Sequence, residues 1–232
     1  MNYDTYTKTL SCGHNKAITT TKHFAREARN LGVDPSEVLR IWCSRCNIST
    51  IENLHHFSNL EQIVLSRNRV HRIDGLESNQ RLDRLGLGKN QISKLEGLDN
   101  LGNLKGLNLS KNQIEKIENL DTLGRLKILV LSLNKVQALE GLEQLGQLEE
   151  LWLQGNQIRK LEGLESLTRL EQLRLGSNQI PAIEGLDTLV NLKLLDLTHN
   201  PLDKIENLHP LVNLEYLHLN ETNISRIEQL DN

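Results

Sequence analysis

Residues 148–167 read LEELWLQGNQIRKLEGLESL. Leu148, Leu151, Leu153, Ile158, Leu161, Leu164 and Leu167 are the apolar positions, and Asn156 is the one fixed polar residue among them. Leu151, Trp152 and Leu153 alternate inward and outward, which is the period of a strand. The stretch is one unit of a series. Asparagine recurs every 22 residues at Asn68, Asn90, Asn112, Asn134, Asn156, Asn178 and Asn200, and leucine keeps the same interval from Leu65 to Leu219. A period this short marks a solenoid, in which each unit buries its apolar face only against its neighbours.

Strands related by such a repeat all run the same way, so the sheet is parallel and needs a crossover in every unit. Too few residues remain in each unit for a full helix, so the crossover is expected to be extended or a short 3-10 segment. One core column runs Ile41, Ile63, Leu85, Leu107, Leu129, Leu151, Leu173, Leu195, Leu217, and a second runs from Ile51 to Ile227. Nine units therefore stack from about Val38 onward, and nine strands at ~4.8 Å spacing make a sheet about 40 Å long. The asparagines suit the turn after each strand, because a short amide carries both donors and an acceptor for buried backbone groups. An acidic column from Glu52 to Glu228 lies between core positions. It reads as a solvated edge facing flanking Lys and Arg, with a stripe for a metal or a basic partner as the sharper alternative.

With 232 residues, 3% aromatic and a net charge of -3, the chain has a leucine and isoleucine interior and no strong basic excess. A nucleic-acid binder normally shows such an excess. The start, MNYDTYTKTLSCG, has no apolar run of signal-peptide type, and no stretch has membrane-spanning length. Three cysteines, an odd number, argue against a secreted disulfide framework. A cytoplasmic or nuclear location is expected. Cys12, His14, Cys43 and Cys46 could in principle ligate zinc. Yet Cys43 falls on the leucine column and Cys46 on the asparagine column, where both read as small buried residues. No cofactor is implied.

The pattern LGNLKGLNLSKNQIEKIENL, from Leu101 to Leu120, resembles the leucine-rich-repeat family. The 22-residue unit and the signature at Leu95–Leu98, Leu139–Leu142 and Ile183–Leu186 look most like the class of the leucine-rich regulatory subunit of protein phosphatase 1. Axonemal dynein light chains, a spliceosomal scaffold protein and bacterial internalins carry similar repeats. The resemblance implies an α/β leucine-rich-repeat solenoid with a parallel concave sheet of about nine strands. It also implies a non-enzymatic scaffold or regulatory subunit that holds another protein on that sheet.

Residues 1–37 are expected to form an N-terminal segment and helical cap, and 38–232 the solenoid. Within the cap, Thr21 reads as an N-cap, Phe24, Ala28 and Leu31 as one helical face, and Gly32 as a stop. Asp34-Pro35-Ser36-Glu37 reads as a second helical start. The outward strand positions vary while the core columns do not. They predict a basic first zone including Arg84 and Lys89, an apolar centre of Ile128, Val130, Leu133 and Trp152, and a mixed end with Arg174, Asp196, His199, Tyr216 and His218. Trp152 is the leading candidate for protein binding, since buried aromatics and arginines dominate interfaces. Its structural alternative is a cover over neighbouring leucines or Gly155. Gly86, Gly88 and Gly106 predict a shallow dip beside the basic zone. A nucleic-acid-associated scaffold using that zone is the alternative function, and a hydrolase built on His199 and His218 a remoter one. The last unit carries Thr222 in the asparagine position, and its apolar edge raises the expectation of end-to-end self-association.

Overall fold

Each unit's outward–inward–outward triplet becomes one short strand. The computed structural model describes residues 1–12 and 20–227. Its elements, in chain order, are β1 (Asn2–Asp4), β2 (Thr9–Ser11), a 3-10 turn (Thr21–His23), α1 (Phe24–Asn30), a second 3-10 turn (Pro35–Glu37) and β3 (Arg40–Trp42). A 3-10 turn at Leu54–His56 precedes β4 (Gln62–Val64), β5 (Arg84–Gly86), β6 (Gly106–Asn108), β7 (Ile128–Val130) and β8 (Glu150–Trp152). Then come β9 (Gln172–Arg174), β10 (Leu194–Asp196), β11 (Lys204–Ile205), β12 (Tyr216–His218) and β13 (Arg226–Ile227). Strands β1 to β10 and β12 form one 11-stranded sheet in chain order, while β11 pairs with β13 separately. The nine repeat strands are parallel, as expected, and the central residues Ile41, Ile63, Leu85 and so on to Leu217 stand in register.

The interior is a continuous stack of leucine and isoleucine, nearly all with no exposed surface from Leu10 to Leu202. One column breaks: Asn79 stands where the later units have Leu101, Leu123 and Leu145, and is fully buried. Its amide donates to the Leu54 and Phe57 carbonyls at 3.2 and 3.1 Å.

The asparagine column does what its chemistry suggests. Asn156 Nδ2 donates to the carbonyls of Leu131 (3.1 Å) and Leu153 (2.8 Å), and its Oδ1 accepts from the Val136 N–H (3.0 Å). One side chain thus serves its own turn and the preceding unit. Asn90, Asn134, Asn178 and Asn200 repeat the arrangement. On the convex side, Asn53, Gly75, Gly97, Asn119, Gly141, Gly163, Gly185 and Asn207 all take positive φ. These are the residue types that tolerate the left-handed region. The acidic column is bridged to the preceding unit at Arg72–Glu96 (2.9 Å) and Lys116–Glu140 (3.4 Å), in keeping with a solvated edge.

The N-terminal end departs from expectation in three respects. The 3-10 turn before α1 is capped by Thr20, whose oxygen accepts from the Lys22 N–H, and not by Thr21. Thr21 is instead buried and exchanges hydrogen bonds with the Glu52 backbone at 2.6 and 2.7 Å. In α1, Phe24, Ala25 and Ala28 face the core, while Leu31 lies beyond the helix and is exposed. The second start is as read: Asp34 caps Pro35–Glu37 by accepting from the Ser36 N–H at 2.8 Å.

The third departure concerns the first residues. β2 joins β3 in parallel, with Leu10 opposite Ile41, and β1 folds back antiparallel on β2. Leu10 is completely buried. The same register sets Cys12 beside Cys43 with a Cα separation of 4.9 Å, the spacing of neighbouring strands and within disulfide reach. The two form a disulfide, so the odd cysteine count was misleading: two pair and the buried Cys46 is left over. Cys43 does occupy the leucine column, but as a half-cystine. Of the four residues weighed for zinc, His14 lies outside the described residues, and the disulfide takes up two of the remaining three sulfurs.

At the other end Leu214, Leu217 and Leu219 are only partly buried, although their columns are sealed in every earlier repeat. Thr222 keeps one of the asparagine bonds, to the Leu219 carbonyl at 2.9 Å. Among the described residues no helix is long and apolar enough to cross a membrane.

Candidate protein-binding face

Register decides which of the candidate residues meet. Val130, Trp152, Arg174, Asp196 and His218 are consecutive partners across β7, β8, β9, β10 and β12, forming one row on the concave face. Ile128 and Tyr216 belong to the adjoining row, 38% and 57% exposed. Leu133, 49% exposed, stands on the turn beyond β7. Arg84 lies three strands from Trp152, ~14 Å away, and Lys89 on the turn after it. The structure thus unites the apolar centre with the mixed end, while Arg84 meets only the near side of that centre, across a dip it shares with Ile128 and Val130, and Lys89 stands apart on the turn.

Trp152 is half-buried. Its indole N–H donates to Glu150 Oε2 at 3.1 Å, and the Arg174 guanidinium lies 5.0 Å from its ring centroid. That is a cation–π stack, which pre-orders both side chains. Arg174 in turn reaches Gln172 Oε1 at 3.2 Å, while its Nε is buried without a partner among the described residues. Trp42, on β3, is 48% exposed and thus less covered than Trp152. Among the described residues it is thus only half covered.

The residue before each position of the asparagine column, Cys46 and Thr222 included, forms a lip along the sheet. Arg45, Arg67, Lys89, Lys111, Leu133, Gly155, Ser177, His199 and Glu221 all take positive φ. Left-handed backbone costs residues with a Cβ roughly 1–2 kcal/mol each. The 22-residue spacing marks this column, but the conformation is foreshadowed only by Gly155. Arg45, Arg67, Lys89 and Lys111 are consecutive and exposed. The Arg67 guanidinium, then Lys111, lowers the Lys89 pKa by charge repulsion, with burial and Arg45 adding less. His199 Nδ1 lies 3.1 Å from Glu221 Oε2 further along the lip.

The opposite edge of the sheet is charge-balanced. Lys105–Asp83 (3.9 Å), Lys127–Glu149 (2.6 Å) and Lys193–Glu171 (2.9 Å) each join adjacent units. Between the two edges lies a dip of about 380 Å³, lined by Val64, Arg84, Gly86, Gly106, Ile128 and Val130 among others. Gly88, expected to line the same dip, is buried instead, and a Cβ there would press on the Ser110 hydroxyl. Among the described residues no group of three or more His, Cys, Asp or Glu could hold a metal ion.

The stacked parallel strands, the asparagine ladder and the variable concave face define a β-solenoid of the leucine-rich-repeat type. Residues 146–188 match the family model for leucine-rich repeats in two copies. No curated protein gives a significant match to the chain. Among solved structures, an internalin C2 from Listeria monocytogenes is 27% identical, with a TM-score of 0.76 over 80% of this chain and 82% of that one. The functional domain of InlJ from the same organism, described as including a cysteine ladder, is 19% identical with a TM-score of 0.65. That match covers 84% of this chain, which spans only 46% of the InlJ domain. These likenesses overturn the expected cytoplasmic or nuclear location, because internalins are secreted or cell-surface proteins.

Proposed function

We propose that this chain is a non-enzymatic scaffold that holds another protein on its concave sheet, centred on Trp152. The observation that carries this reading is the contiguous row Val130–Trp152–Arg174, flanked by the exposed Ile128 and Leu133. Apolar side chains held outward beside a pre-ordered tryptophan and arginine have the composition of an interface centre. Asp196, Tyr216 and His218 extend the contact surface toward β12. The Cys12–Cys43 disulfide and the likeness to internalins favour work in an oxidising, extracellular setting. The finer likeness to a phosphatase regulatory subunit rests on the repeat length and its signature residues alone, with no support from the solved structures, so a phosphatase is not part of the proposal.

Affinity capture with the wild-type chain and Trp152→Ala in parallel tests the site. The substitution removes an outward ring and leaves every core column intact, so the melting curve should hold while partner affinity falls by about 2 kcal/mol. Undiminished partner affinity would move the site away from the concave centre.

A further inference from the structure

We infer that the N-terminal half of the concave face is a docking site for an acidic polypeptide segment, its carboxylates on the lip Arg45–Arg67–Lys89–Lys111 and an apolar side chain in the dip beside it. The inference rests on the concave face being the binding face and names the chemistry of what binds there.

Four like charges in a row are costly to the fold. Each sits on left-handed backbone with φ between 57° and 60°. Among the described residues, no carboxylate lies within ion-pair reach of any of the four. They repel one another strongly enough to lower the Lys89 pKa. The other edge of the same sheet carries lysines too, and there each of Lys105, Lys127 and Lys193 is paired with a carboxylate of the adjacent unit. An unbalanced row is relieved by anionic groups brought from outside.

The dip selects among anions. It lies on β4 to β7, reaches the lip at Ser66 beside Arg67, and joins Val64, Ile128 and Val130 to the bare backbone at Gly86 and Gly106. A Cβ at Gly106 would meet nothing closer than Arg84 Cγ at 3.7 Å, so the floor is open and not pre-filled. Polyphosphate would satisfy the lip and find no use for apolar walls, and a nucleobase would find no aromatic side chain in the dip to stack on. A polypeptide carries both kinds of group, and the long Arg and Lys stems absorb the difference between its ~6.7 Å same-face spacing and the ~4.8 Å of the strands.

The test titrates the full chain with a short Glu/Ser peptide bearing one central Leu, with the same peptide bearing Ser in its place, and with a Gln-for-Glu version. Inorganic polyphosphate and a single-stranded oligonucleotide serve as polyanion controls. The Leu-bearing acidic peptide should bind, more weakly as salt rises, and lose at least roughly tenfold in affinity to the double variant Lys89→Glu/Lys111→Glu. Gly106→Val fills the dip on a backbone that accepts valine, and should weaken the Leu peptide while sparing the Ser one. Equal binding of the Glu and Gln peptides, or indifference to the charge reversal, overturns the inference. So does tighter binding of polyphosphate or oligonucleotide that ignores Gly106→Val. Trp152→Ala separates the two readings: partner capture lost in that variant, with no acidic peptide bound by the wild type, leaves the concave scaffold standing and this docking site refuted.

Discussion

Asn156 shows how one side chain sets the stability of a unit. Alanine there leaves the Leu131 and Leu153 carbonyls and the Val136 N–H without their partner, in a site only 8% exposed. The cost should be about 1–3 kcal/mol, read as a melting midpoint several degrees lower, and an unshifted midpoint would refute the ladder. This role was legible in the sequence, because an amide at fixed spacing in an otherwise apolar pattern has few other uses. Asn79 was not, since it interrupts a leucine column and its two carbonyl partners belong to the preceding unit, out of reach of any local pattern. The outward position of Trp152 was also legible. Its stack under Arg174 was not, because it depends on side-chain rotamers across two strands.

At the scale of elements, β2 explains why part of the fold escaped the sequence. Leu10 and Ile41 are neighbours in space, yet 31 residues separate them where every later pair is 22 apart. The extra chain includes α1, so the spatial register survives while the sequence period is lost. The disulfide secures this irregular end. Closing a loop with a separation of 31 residues is worth about 3–4 kcal/mol in the chain-entropy account. Cys12→Ser/Cys43→Ser should therefore melt lower than the wild type without reductant, and reductant should bring the wild type down to the variant. Burial raises the Cys46 thiol pKa, so it is a poor attacking group for exchange. The basic lip gives a prediction of opposite sign. The depressed Lys89 pKa means that the protonated form is disfavoured in the folded state. Charged Lys89 therefore costs stability throughout the neutral range, a cost relieved as pH rises through the lysine range. Lys89→Gln should raise the melting midpoint at neutral pH and low salt, and the gain should shrink toward zero at about 1 M salt, where the screening length is ~3 Å. A midpoint that falls, or a gain indifferent to salt, would show that the lip is not under repulsive load.

For the whole molecule, stability is close to a sum of units and the contacts between neighbours. Every internal unit is covered on both sides, and the first is covered by β2 and α1, with Phe24 and Ala28 fully buried. The unit of β12 is covered on one side only among the described residues, and Leu214, Leu217 and Leu219 stay half-open there. Among the described residues no strand pairs with the outer side of β12. A large-to-small change should therefore cost less here than in a sealed unit, because fewer packed atoms are lost. Leu151→Ala should cost about 2–5 kcal/mol and Leu217→Ala clearly less, read as the two melting midpoints, since Leu151 is completely buried and Leu217 only partly so. Leu217 is remote from the Cys12–Cys43 end, so the effect of reductant on the melting midpoint should be the same in the Leu217→Ala variant as in the wild type. Equal losses at the two sites would show that the β12 unit is packed as tightly as the internal ones.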